Sequence, residues 1–236
     1  MILFSWINRY HSLYDWAQGP LVWAAFIIFF VGSGFQIHRL WSLTRQVPPG
    51  RWGRVSGPAM ATPLPAGHGK LKKWIFRLRL SIAGTQPLLI TVTIVFHALL
   101  FLVPVFLLAH GILIETAWDI HPWVFSERLS DGLTLALLAS ALFFLGRRIF
   151  LARVRALSAF QDYYILFLAA APFLTGFLAY HQIFDYRLMV TLHMLAGELM
   201  LISIPFTKIT HMFLFLVLRF SMNHEYRLGR GNRVWE

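Results

Sequence analysis

The chain reads as an all-α integral membrane protein: a five-helix transmembrane bundle with an N-terminal interfacial segment. Three observations predict this class. Hydrophobic residues make up 58% of the 236 and the mean hydropathy is +0.62, too apolar for a soluble domain of this size. Five apolar runs reach the roughly 20 residues that a membrane-spanning helix needs; they fall at about 20–41, 86–114, 132–150, 162–182 and 188–219. None of them alternates apolar and polar residues as barrel strands do. The whole of 1–236 reads as one membrane domain without internal repeats.

The opening "MILFSWINRYHSLYDW" lacks the basic start and long apolar core of a signal peptide. Its aromatic, polar-interrupted pattern predicts a helix lying on the membrane surface, or a docking arm for a partner subunit. The first span opens with "GPLVWAAFIIFFVGSGFQ", with Trp23 at one interface and Trp41 at the other. The loop 42–84 is long, basic and rich in Pro and Gly. Within it "KLKKWIFRLRL" (70–80) fits an amphipathic helix on an anionic surface, or a solvated basic loop. The second span, 86–114, contains Pro104, which predicts a kink. The 115–131 connection carries Trp118, Trp123 and His121 among four acidic residues, and reads as a landing surface for a partner. A short basic connection, "RRIFLARVRALSAFQD", joins the third and fourth spans.

Charge gives an orientation. The formal net charge is +11, yet nine of the 21 Lys and Arg fall in 39–79, four in 147–155 and four in 219–233. The loops that would lie on the other side hold only Arg9, Arg128 and Arg187. That asymmetry follows the positive-inside rule and predicts the N-terminus outside and the C-terminus inside. The positive charge is topological, and nucleic acid is not expected as a partner. There is no cysteine, which excludes disulfides, covalently attached c-type haem and cysteine-held iron–sulfur clusters. Any metal centre must rest on His, Met or carboxylate.

Four histidines fall at membrane depth: His97 and His110 in the second span, His193 and His211 in the fifth. An ionisable group in hydrocarbon is costly, and even a neutral imidazole needs partners for its nitrogens. The second and fifth spans run in opposite directions, so His97 is level with His211 and His110 with His193. Two imidazoles facing each other at one level are what a b-type haem requires. His193 and His211 lie eighteen residues apart, about five whole turns and ~27 Å on a regular helix, hence on one face. His97 and His110 are thirteen apart, which leaves them roughly 140° apart on an ideal helix. The inner pair is therefore the firmer expectation and His110 the weakest ligand.

Lys208, one turn from His211, can pair with a haem propionate or simply extend to the interface. Glu198 can take a proton from a quinol or act as a hydrogen-bonded structural acid. His181, at the outer end of the fourth span, is a quinone-site candidate, a spare ligand or an interfacial residue.

These residues resemble the cytochrome b family typified by the gamma subunit of respiratory nitrate reductase. "VFHALLF" around His97 is similar to that family's first ligand site in its second helix. The succession His193, Leu195, Gly197, Pro205, Phe206, Thr207, Lys208, His211 is its most specific match, and "ARVRALSAFQD", ending at Asp162, also fits. The 42–84 loop is extra, and the second-span histidines stand farther apart than the family pattern. "GPLVWAAFIIFF" and "AAPFLTGFLAYHQIFDY" look closer to the cytochrome b subunits of the Tmc and Hmc transmembrane redox complexes of sulfate-reducing bacteria. The resemblance covers about 17–230. It implies a haem-bearing anchor in the bacterial inner membrane with two b haems and menaquinone as substrate. The implied partners are a periplasmic multihaem cytochrome c, a cytoplasmic iron–sulfur subunit related to heterodisulfide reductase, and other membrane subunits.

The expected function is thus electron carriage within a quinone-linked oxidoreductase complex, with His97/His211 on the inner haem and His110/His193 on the outer. One alternative is a non-redox anchor or transporter subunit whose histidines pack or relay protons. Another is a dihaem cytochrome of the b561 or formate-dehydrogenase-gamma type, with ligands on other helices.

Overall fold

The computed structural model describes residues 12–45 and 82–214. The N-terminal arm 1–11, most of the 42–84 loop with its 70–80 segment, and the tail 215–236 lie outside the described residues. All regular elements described are helical. Five helices are long and apolar enough to cross a membrane: Leu13–Leu43, Pro87–Phe106, Glu127–Phe150, Phe160–Tyr180 and Tyr186–Phe206. At most 33% of each one's most apolar window is buried within the protein. Large side chains such as Phe30 (65% exposed) and Leu142 (68%) point outward, a surface that water would not tolerate and lipid does. The chain is a multi-pass membrane protein with five spans.

Two compact units make up the chain, residues 1–22 with 79–200 and residues 23–78 with 201–236. The described part of the first begins at Ser12, which opens helix α1 (Leu13–Trp16) with a reciprocal cap. Asp15 Oδ2 accepts from the Ser12 amide at 3.1 Å, and the Asp15 amide donates to Ser12 Oγ at 3.4 Å. A π-helical turn, Ala17–Leu21, follows around Pro20, whose missing N–H favours a widened turn, and runs into α2 (Val22–Arg45). Residues 12–19 therefore continue into the first span and are not a separate surface helix. The short α3 (Ile82–Thr85) precedes α4 (Pro87–Phe106), with proline at the first turn, where its lack of an N–H costs nothing.

The second span is broken. Pro104 lies inside α4, but the break comes at Leu107, whose φ of −69° and ψ of 133° are extended; α5 (Leu108–Trp118) then resumes. The break frees carbonyls, and the amide of Phe125 takes that of Phe106 at 2.8 Å. Gly111 on α5 admits the 119–126 loop: a Cβ there would lie 2.5 Å from Val124 Cγ1. Next come α6 (Glu127–Phe150), with Glu127 in its first turn and Arg147 and Arg148 in its last, as the helix dipole favours, then α7 (Ala152–Ala156) and α8 (Phe160–Tyr180). Helices α4, α6 and α8 enclose the core, built from Phe96, Leu99, Val103, Leu137, Ala141, Ala169 and Phe173. Thr134 Oγ1 donates to the Ser130 carbonyl and Thr175 Oγ1 to the Ala171 carbonyl, so these two hydroxyls are satisfied within their own helix. Helix α9 (Tyr186–Ser203) begins with Asp185 Oδ1 accepting from the Leu188 amide at 2.8 Å.

The second unit's described part pairs residues 23–45 of α2 with 201–214. The fifth span is not one regular helix. After Ser203 the chain forms a 3-10 turn, Ile204–Phe206, then Thr207 in extended backbone, then a second 3-10 turn, Lys208–Thr210. Gly32 makes room for this break, since a Cβ there would lie 2.8 Å from both Cβ and Cγ of Pro205. Gln36 Nε2 donates to the Pro205 carbonyl at 2.8 Å, and Thr210 Oγ1 donates to the Ile204 carbonyl at 2.7 Å. Broken backbone at membrane depth is tolerated when side chains take up the freed groups in this way.

Candidate functional site

The first unit brings two of the four histidines together. His110, on α5, and His193, on α9, have ring centres 5.9 Å apart and ring planes 25° apart. The helix break positions the first. His110 Nδ1 lies 2.7 Å from the carbonyl of Pro104, one of the oxygens that the turn at Leu107 releases from helical bonding. The second is set by α8: His193 Nδ1 lies 2.8 Å from the carbonyl of Pro172. Gly176, one turn further along α8, seats the ring, because a Cβ there would stand 2.9 Å from His193 Cε1 and 3.0 Å from Nδ1.

The hydrogen bonds decide the tautomer. A carbonyl oxygen only accepts, so each Nδ1 carries the proton and each Nε2 keeps its lone pair. All four candidate ligands share this arrangement: His97 Nδ1 lies 2.8 Å from the Thr93 carbonyl and His211 Nδ1 2.7 Å from that of Lys208. A carbonyl that accepts from one ring nitrogen is what orients metal-binding histidines. Metal–imidazole bonds run about 2 Å, so two imidazoles holding one metal from opposite sides place their ring centres roughly 6 Å apart. The rings of His110 and His193 lie nearly parallel at a separation of this order, and a neutral imidazole nitrogen is a donor that a b-type haem takes. Among the described residues no group of three or more His, Cys, Asp or Glu is placed to hold a metal ion, so a larger protein-only metal centre has no donors there.

The expected ranking of the two levels rests on regular helices, and an ideal helix would turn His110 away from the face of His97. The chain is not an ideal helix between them: the extended Leu107 resets the phase. His193 and His211 are not joined by five regular turns either, because two 3-10 turns and an extended Thr207 intervene. His97 belongs to the first unit and His211 to the second. Both are exposed on the protein surface, and the ring of Phe96 stands edge-on to His97 with centres 5.6 Å apart. Lys208 is exposed and opens the 3-10 turn that leads to His211.

The two quinone-site candidates differ. His181 ends α8 and its Nε2 lies 3.2 Å from Asp131 Oδ1 on α6, with the Phe177 ring centre 4.4 Å away. Glu198 is buried on α9, 6% exposed, and its Oε1 has no hydrogen-bond partner among the described residues. Sequence reasoning missed Asp131, Pro172 and Gly176. A proline and a glycine four residues apart in an apolar span were a legible sign of close approach to another element, but not of which one.

Comparison with known proteins adds a relationship. A protein of Nitratidesulfovibrio vulgaris (strain Hildenborough) is 31% identical over 220 residues, which cover 93% of this chain and 96% of that protein. The chain belongs to the same family as that protein. No family model matches the chain, and no solved structure does.

Proposed function

We propose that the chain is the membrane cytochrome b subunit of a respiratory redox complex, resembling the nitrate reductase gamma type and nearest the Tmc and Hmc anchors. The observation that carries this reading is the His110–His193 pair, 5.9 Å apart with both Nδ1 atoms tied to proline carbonyls. A b haem at each of two levels supplies reversible one-electron carriage through the lipid. The chain's own residues hold and orient: His110 and His193 at the outer level, while His97 and His211 each keep an Nε2 lone pair that an inner haem would use. Lys208 neutralises propionate charge as a point cation. His181, with Asp131, and Glu198 are the groups that exchange protons with a bound menaquinone. Electrons pass between menaquinone, or a periplasmic multihaem cytochrome c, and a cytoplasmic heterodisulfide-reductase-like iron–sulfur subunit. The protein lies in the bacterial inner membrane with its N-terminus periplasmic and its C-terminus cytoplasmic, in keeping with the basic loops. The relative comes from a sulfate-reducing bacterium, the kind of organism in which the Tmc and Hmc complexes occur.

Pyridine haemochrome analysis of the purified chain tests the reading. Two b haems are expected, and one in a His193→Ala variant. A wild-type protein with no Soret band would end the proposal and leave the histidines as packing or proton-relay groups.

A further inference from the structure

The first unit holds a cavity unrelated to the histidines. It lies where α4 begins and α6 ends, at the edge of the core helices, and is lined in part by Gln86, Leu88, Leu89, Arg147, Leu151 and Arg153. Its chemistry is two-sided. Leucines on α4 and in the turn after α6 form apolar walls, and Leu88 is 64% exposed and Leu151 43% exposed. Two guanidiniums stand at the same opening.

The neighbouring arginines sort themselves. Arg148 donates to Ser158 Oγ at 3.2 Å and Arg155 to the Ile149 carbonyl at 3.0 Å, so both brace the α6–α7 turn. Arg147 reaches Gln86 Oε1 at only 3.4 Å and lies over the Phe143 ring at 5.8 Å. Neither Arg147 nor Arg153 is paired with a carboxylate among the described residues. The start of α4 adds potential of the same sign. A cavity at the end of a membrane span that is apolar on one side and doubly cationic on the other matches one ligand chemistry: a phosphodiester carrying acyl chains.

We infer that this cavity binds the head group of an acidic phospholipid, with Arg147 and Arg153 on the phosphate and the leucine walls against the first methylenes of its chains. Basic pockets between spans bind anionic lipid head groups. The preference requires no haem and stands apart from the proposed electron carriage.

The test is native mass spectrometry of the full chain in detergent, titrated with phosphatidylglycerol and phosphatidylcholine of identical chains. The wild type should retain phosphatidylglycerol roughly tenfold better or more. The double variant Arg147→Gln, Arg153→Gln should lose that preference, whereas Arg155→Gln keeps it. The charge-conserving pair Arg147→Lys, Arg153→Lys should keep most of it and controls for folding, alongside an unchanged elution volume. Equal retention of the two lipids by the wild type would overturn the inference, as would an undiminished preference in the double glutamine variant. Glycerol 3-phosphate without chains, added as competitor, should displace the lipid poorly; displacement at equal concentration would assign the cavity to a free phosphate instead.

Discussion

Gly176 shows how narrowly the outer histidine is held. Any side chain there meets the His193 ring at 2.9 Å, and the ring's Nδ1 is already committed to the Pro172 carbonyl. Gly176→Ala must push the imidazole out of register. The expected cost is about 1–3 kcal/mol of overpacking, and, on the dihaem reading, a shifted or lost outer haem. Midpoint potentials of the reduced-minus-oxidised bands would show it; two unshifted haems in the variant would mean that Gly176 does not seat a ligand. Asp131 offers a second check. Asp131→Asn removes the carboxylate charge that faces His181 at 3.2 Å while leaving an amide oxygen in its place. If that pair takes protons from quinol, quinol-driven haem reduction slows while dithionite reduces both haems as before.

Two spans are broken, each in its own unit. The break in the fifth span rests on Gln36, whose amide donates to the Pro205 carbonyl, and on Gly32 beneath the proline ring. Gln36→Leu strands that carbonyl in an apolar setting at a cost of about 1–3 kcal/mol. A lower midpoint in denaturing detergent, with helix content unchanged, is the expected result. The break in the second span is of another kind. Leu107 leaves the helix and the 119–126 loop fills the gap, through the Phe125 amide on the Phe106 carbonyl and Val124 against Gly111. Gly111→Val should drive the loop off α5 and, through the adjacent His110, disturb the packing of that ring against His193. Pro104 announced irregularity in this span, and the fifth carries a proline of its own, Pro205. Neither indicated a break with its own hydrogen-bond partners, because those partners lie in other segments.

At the scale of the molecule, the asymmetric placement of Lys and Arg predicts one orientation in the membrane. Fusing alkaline phosphatase and a fluorescent protein in turn to the C-terminus reads it out: fluorescence without phosphatase activity is expected, and the reverse pattern would invert the proposed haem levels. The five spans, the absence of cysteine chemistry and the four histidines were all legible in the sequence, because hydropathy and donor type are properties of local composition. The pairing of histidines was legible only as depth. Its decisive feature, the capture of each Nδ1 by a carbonyl, reaches from His193 to Pro172 across two helices, and from His110 back over an extended residue to Pro104. Composition determined that this chain crosses a membrane five times, since burying apolar runs in lipid needs no particular neighbour. Only the tertiary structure decided where those runs break and which imidazoles face each other, since a freed carbonyl takes whichever donor folding brings within 3 Å.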